Sequence, residues 1–434
     1  MCSPGPRPAS RAGDDHPAAH RFPRLAAFHP ICLVRRLDGS DLRFIVVRLL
    51  SAVARIVNGG YLSHRCRLLL LAILLLGALL RFYRLDAQSL WNDEGNSARL
   101  AERSLDLIVE GAAGDIHPPG YYLLLHCWRA LLGHSEFALR SLSVLAGLAL
   151  ILFTYLLGRR LFAESTALTG AFISAISPFA IYYSQEARMY ALLAALSAAS
   201  TYLTIRTLQS VFDAPPSSAS SSLSAISILR HGACAILTAA GLYAHYAFAF
   251  VALAHNVVFA LWWLIASIRS RRRWLVLTVW GSAQLAALLL YLPWLLNALA
   301  APGWSSPQVA YRLGPALLDV LRVLTVGITL TLESSTLALV VAGVLLLTGI
   351  IPIAARASDP LAATPSDGAG REDGSRPCPR GLYIATLVLY LALPIALFFA
   401  LDLYKPAWLK FLVVALPPFH VLIALGIQNL SVLP

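Results

Sequence analysis

GYYLLLHCWRALLG, residues 120–133, is apolar and carries aromatic residues towards both ends. As a helix it rises only about 20 Å, short of the ~30 Å of hydrocarbon in a bilayer. Whether it crosses decides the sidedness of everything that follows. If it spans, GRRLF (158–162) faces the outside and SQEARMY (184–190) faces the cytoplasm. If it lies along the surface, Arg159 and Arg160 are cytoplasmic, together with RSRRR (269–273), Arg356 and the loop through Arg380. Basic loops stay on the cytoplasmic side. The surface placement satisfies all of them at once, so residues 120–133 are expected to lie along the membrane.

The wider composition demands a membrane. Of 434 residues, 58% are hydrophobic and only 13% charged, about half the charged share of a soluble domain. Mean hydropathy is +0.70. No single core hides that much apolar surface, and the apolar blocks are helix-length rather than alternating ten-residue strands. The expected fold is all-α, a polytopic transmembrane bundle. A formal net charge of +12 raises the question of nucleic acid, but the basic residues are scattered between apolar blocks. They read as topology signals and headgroup contacts, with no nucleic-acid partner. The six cysteines form no CxxC and no metal-ligand spacing, which argues against a disulfide framework.

About ten spans are expected, at roughly 66–81, 137–157, 165–184, 189–208, 230–246, 247–268, 274–298, 336–355, 381–401 and 409–429. Residues 1–60 read as a cytoplasmic tail, disordered or the product of a misassigned start codon. Residues 61–434 form the membrane domain. Linkers at 209–229 and 356–380 are cytoplasmic, and loops at 85–136 and 299–335 are external. The first external loop holds eight carboxylates and three arginines. Within it, GNSARLAERSLDLIVEG predicts one interfacial helix, with Ala98, Ala101, Leu105 and Ile108 on its apolar stripe and Arg99, Glu102, Asp106 and Glu110 opposite.

On this topology the polar outliers gather on one side. Asp93, Glu94, Asp115 and His117 lie in the first external loop, and Gln185, Glu186 and Arg188 in a later turn. Tyr243, His245 and Tyr246 follow in the next, and Lys405 and Lys410, the only lysines, in the last. Span interiors are nearly free of charge, unlike a proton or ion pathway. A carboxylate at the bilayer edge serves as a general base towards a hydroxyl or amine. Arginine, lysine and histidine neutralise the phosphate of a lipid-linked leaving group. The structural alternatives are concrete: acids at a helix start favoured by the dipole, an HPP helix stop and restart, lysines anchored to headgroups, and an aromatic belt around His245. For Arg140, snorkelling and ligand contact compete equally.

SLWNDEGNSARLAE (89–102), DIHPPGYYLLLHCW (115–128), SEFALRSLSVLAGL (135–148) and SPFAIYYSQEARMYALL (177–193) together resemble the GT-C glycosyltransferases. They are most similar to the bacterial branch related to protein O-mannosyltransferases and to the aminoarabinose transferases of lipid A. The resemblance covers residues 80–210. Beyond residue 230 it rests on hydropathy rhythm and KPAWLKFLVVALPPF (405–419). It implies an inverting transfer from a polyprenyl-phosphate sugar, hexosyl or pentosyl, to a lipid, glycan or protein acceptor at the periplasmic face of a bacterial inner membrane. It implies Asp93 as the base, with Glu94 shaping the same pocket. His117, Glu186, Arg188, Lys405 and Lys410 are then the substrate-binding residues. Two positions depart from the pattern: Tyr190 stands where those branches carry aspartate, and Lys410-Phe411 replaces Arg-Tyr. No cofactor is required; a divalent cation is compatible with these residue types, but no spacing argues for a metal site. The rival reading is a transporter or flippase of lipid-linked saccharides, which predicts charges inside the spans and internal symmetry.

Overall fold

The computed structural model describes residues 63–115, 117–212, 225–265, 270–300, 310–351 and 379–432. The N-terminal tail, most of the linkers expected at 209–229 and 356–380, residues 301–309 of the 299–335 loop, and Cys2, Cys32 and Cys378 lie outside the described residues.

Every regular element among the described residues is helical. The chain runs α1 (His64–Phe82), α2 (Asn92–Ala101), α3 (Leu105–Ala113), α4 (Gly120–Leu132), α5 (Glu136–Leu161), α6 (Glu164–Ile176), α7 (Pro178–Ser184) and α8 (Tyr190–Phe212). It continues through α9 (Ala225–Ala244), α10 (Phe248–Ile265), α11 (Ser270–Ala300), α12 (Leu313–Val326), α13 (Leu332–Ile350) and α14 (Arg380–Ala400). A 3₁₀ stretch (Pro406–Ala415) feeds α15 (Leu416–Val432). Helix α5 lies at the centre, packed against α6 and α8, while α15 packs on α6 and α13.

This is a multi-span membrane protein. Among the described residues, seven helices are long and apolar enough to cross a bilayer, and α6 with α7 would together make an eighth. The expected ten is not reached on length and composition. Helix α1 carries Arg65, Arg67 and Arg81, and the apolar part of α9 is confined to Ile228–Ala244.

The expected span at 165–184 is broken, with α6 and α7 bent 55° at Ser177-Pro178. Proline has no N–H, so the carbonyl of Ser174 loses its helical donor. Arg81 replaces it. Its Nη2 donates to the Ser174 carbonyl at 3.1 Å and its Nη1 to that of Ala175 at 2.9 Å. Its Nε donates to Ser184 Oγ at 3.2 Å, so one fully buried guanidinium ties α1 to both halves of the break. Gly147 on α5 makes room for it: a Cβ there would stand 2.2 Å from Ser184 Oγ and 2.8 Å from Arg81 Nε.

Helix α4 has thirteen residues and buries Tyr121, Tyr122 and Leu125. It rests on α2 and α5, and at about 20 Å it is too short to span. The single interfacial helix expected before it is two helices. The chain interrupts at 102–104, where Ser104 is extended (φ −63°, ψ 157°) ahead of α3. The stripe survives the break: Ala101 and Ile108 are fully buried, and Arg99, Glu102, Asp106 and Glu110 are exposed.

Arg81→Met keeps volume but orphans the Ser174 and Ala175 carbonyls. The expected cost is about 2–3 kcal/mol, read as a lower unfolding temperature in detergent; an unchanged temperature would contradict this role.

Candidate active site

Loop 83–91 leads into α2, whose first turn presents Asp93 and Glu94. The two neighbours behave differently. Glu94 is fully buried and saturated. Its Oε1 accepts from Arg140 Nε at 2.8 Å and from the Ala187 N–H at 2.7 Å. Its Oε2 accepts from Arg140 Nη2 at 2.7 Å and from the Trp91 N–H at 3.3 Å. Arg140, near the start of α5, also donates to the carbonyls of Leu85, Gln88 and Ser89. One buried ion pair therefore joins α2, α5, loop 83–91 and the 185–189 turn. Arg140 does not snorkel.

Asp93 keeps a third of its side chain exposed, and its Oδ2 lies 3.8 Å from Arg188 Nη2. Arg188 is buried; its Nη1 donates to Ser97 Oγ at 3.1 Å and to the Asp93 carbonyl at 3.3 Å. Its Nε has no hydrogen-bond partner among the described residues. Arg188 and Lys410 both stand by the ring of Tyr190, at 5.8 and 5.0 Å from its centroid. The aromatic at position 190 thus gathers two cations.

His117 is buried with its Nδ1 3.4 Å from Asp115 Oδ2, which also accepts from Tyr122 Oη at 2.8 Å. Burial lowers the pKa of His117 against the opposing pull of Asp115. Its ring lies 5.5 Å from that of His245, which also neighbours Tyr190 and Phe411. Burial holds His245 neutral, well below the ordinary histidine range. The Ala247 N–H donates to its Nδ1 at 3.0 Å, so the ring proton sits on Nε2, a buried donor without a partner among the described residues. Gly120 permits this approach: a Cβ there would meet the Tyr243 carbonyl oxygen at 2.5 Å.

Glu186 is buried beside Tyr182, and its carboxyl is pushed up to about 7, chiefly by burial; Tyr182, Lys410 and Arg188 oppose the rise and Glu94 adds to it. Lys405 Nζ lies over the ring of Trp408 at 4.5 Å. The structure therefore brings Asp93, Glu94, His117, Glu186, Arg188 and Lys410 to one end of the bundle, while Lys405 sits over Trp408, whose ring stacks on Phe411. Arg140 and His245 join them; the sequence left Arg140 open between snorkelling and ligand contact, and set His245 against an aromatic belt. The His245 signal was the YAHY turn (243–246); for Arg140 only the arginine at the start of an apolar span stood out. Among the described residues no group of three or more His, Cys, Asp or Glu could hold a metal ion.

Solved structures share the fold. The ArnT protein of Cupriavidus metallidurans bound to undecaprenyl phosphate superposes with a TM-score of 0.54 at 15% identity, covering 86% of this chain and 61% of that one. The apo oligosaccharyltransferase of Archaeoglobus fulgidus gives 0.50 at 16% identity, covering 86% of this chain and 51% of that one. The chain thus spans less than two thirds of either neighbour. No curated protein matches it in sequence. The fold is that of the GT-C membrane glycosyltransferases. Within it, residues 116–297 match the family described as dolichyl-phosphate-mannose-protein mannosyltransferase.

Two outcomes follow from this geometry. Arg140→Met strands the Glu94 carboxylate and should cost about 3–5 kcal/mol; adding Glu94→Gln should cost much less than the sum of the two single changes, as measured by thermal unfolding in detergent. Strict additivity would mean that the pair is not coupled. The folded Glu186 carboxyl at about 7, against an ordinary 4.5, binds its proton more tightly than in the unfolded chain. Its contribution to stability is complete below pH 4.5 and lost as pH rises through 7, amounting to roughly 3 kcal/mol. Glu186→Gln should flatten that slope.

Proposed function

We propose that this chain is an inverting glycosyltransferase that takes a sugar from a polyprenyl-phosphate donor to an acceptor hydroxyl or amine at the periplasmic face of a bacterial inner membrane. One observation carries the reading. A carboxylate one-third exposed, Asp93, meets the buried Arg188, the partly buried Lys410 and two buried imidazoles at the end of an apolar bundle, and two donors of that set, Arg188 Nε and His245 Nε2, are unspent.

The chemistry runs from these groups. Asp93 accepts the acceptor's proton as its oxygen or nitrogen attacks the anomeric carbon. The bond from that carbon to the phosphate oxygen breaks, and the phosphate leaves with the electron pair. Arg188 and Lys410 neutralise the developing charge, and His245 supplies an uncharged donor from Nε2, with His117 packed against its ring. A single displacement needs one base and inverts the configuration. Glu94 holds α2 in register for Asp93, since all its acceptor capacity is already used. The sugar is a hexose or pentose, and the acceptor a lipid, glycan or protein. The undecaprenyl phosphate bound by the ArnT neighbour supports a donor of that class.

Asp93→Asn should lower transfer from a labelled polyprenyl-phosphate sugar in proteoliposomes by about 10²–10⁴-fold, with membrane expression unchanged. Full transfer by the variant removes Asp93 from the reaction. No transfer by the wild type across a donor panel, with lipid-linked saccharide moved between leaflets instead, favours the transporter.

A further inference from the structure

A cavity of about 730 Å³ opens beside the Glu94–Arg140 pair, within the usual size of a small-molecule site. It is separate in its lining from the cation cluster: Gln185 and Glu186 face it, whereas Arg188, His117 and Lys410 do not belong to it. Tyr83, Trp91 and Tyr182 line it and keep 67, 45 and 39% of their surface exposed. Aromatic faces left uncovered in a concave site suit the apolar faces of sugar rings, whose hydroxyls remain free to hydrogen-bond.

Arg84 also lines this cavity. Its side chain makes no hydrogen bond or ion pair among the described residues, whereas the other arginine in the lining, Arg140, is fully engaged by Glu94. Arg84 further adopts φ +52°, the left-handed region in which a glycine or asparagine would sit without strain. Such a conformation persists where neighbours over-determine it. Here Gln185 Nε2 does so by donating to the carbonyls of Leu80, Arg81 and Tyr83. The left-handed backbone places a permanent cation on the exposed side of a cavity in which the Glu94 carboxylate is already paired with Arg140.

We infer that this cavity is the acceptor site, that it takes a saccharide bearing an anionic group, and that Arg84 is the residue that reads the charge. The assignment of the occupant as acceptor rests on the glycosyl-transfer reading above. Phosphate and carboxylate satisfy a guanidinium alike, so the test carries both.

The purified full chain in nanodiscs is titrated with maltose, maltose 1-phosphate and the C6-carboxylate analogue of maltose. The two charged sugars should bind about 10- to 100-fold tighter than maltose, as one charge-assisted contact implies. Arg84→Gly, which relieves the left-handed strain and so leaves folding intact, should erase that difference without changing maltose binding, and Arg84→Lys should restore part of it. Preference for one charged sugar alone names the group recognised. Equal or undetectable binding of all three by the wild type, or a charge preference that survives Arg84→Gly, overturns the inference. The two readings fail separately. Normal transfer without charge discrimination sinks only the role of Arg84, and discrimination without any transfer sinks only the enzyme reading.

Discussion

Glu94 and Arg140 are 46 residues apart in the chain, and both are removed from water. Neither could be buried alone, because an unpaired charge in a low-dielectric interior costs several kcal/mol. Their pairing is two-pronged, and each prong is backed by further bonds to backbone groups. The consequence is positional. Helix α2, the start of α5 and the turn before α8 cannot shift relative to one another without exposing a charge to hydrocarbon. Asp93 and Arg188 each sit one residue from a group held in this bond, so their mutual distance is inherited from it.

The same logic explains why the polar groups collect at the end of the bundle. Backbone and side-chain polar atoms inside a membrane need internal partners. Arg81 illustrates the cost of an exception: it is tolerated because a proline break hands it carbonyls to satisfy, and because Gly147 leaves it room. The cation cluster has no such closed set of partners. Arg188 Nε and His245 Nε2 remain unsatisfied among the described residues. Unpaired buried donors are costly to the fold, so their retention points to a ligand that pairs with them.

How far this was legible in the sequence depends on the range of the interaction. Long apolar helices such as α5 and α14 follow from hydropathy, because lipid selects on local composition alone. The short length of α4 was legible for the same reason, and with it the common placement of residues 93, 117, 186 and 188. The break at Ser177-Pro178 was written in the sequence as a proline, but a proline inside an apolar run is compatible with either a kink or a span. The inward turn of Glu94 was not legible. In the sequence it and Asp93 are equivalent acids of one helical turn, and only a partner 46 positions away distinguishes them. His245 reads as one more interfacial aromatic until Gly120 lets the Tyr243 backbone close upon α4. The two lysines, five residues apart, were indistinguishable until Tyr190 and Trp408 claimed one each.

An inverting displacement imposes its own geometric demand, since the nucleophile and the leaving group must approach the same carbon from opposite directions. A single undivided pocket does not enforce that. The turn between α7 and α8 offers a division: Gln185 and Glu186 line the aromatic cavity, while Arg188 and Tyr190 belong to the cation cluster. Between them, the Ala187 N–H is bound to Glu94. A turn fixed at its midpoint by a buried ion pair cannot tilt towards either side. Were that bond absent, the cluster that suits a phosphate and the cavity that suits a saccharide would be free to drift relative to each other. Asp93, the residue before Glu94 on the same helix, inherits that fixed position and faces Arg188 on the cluster side.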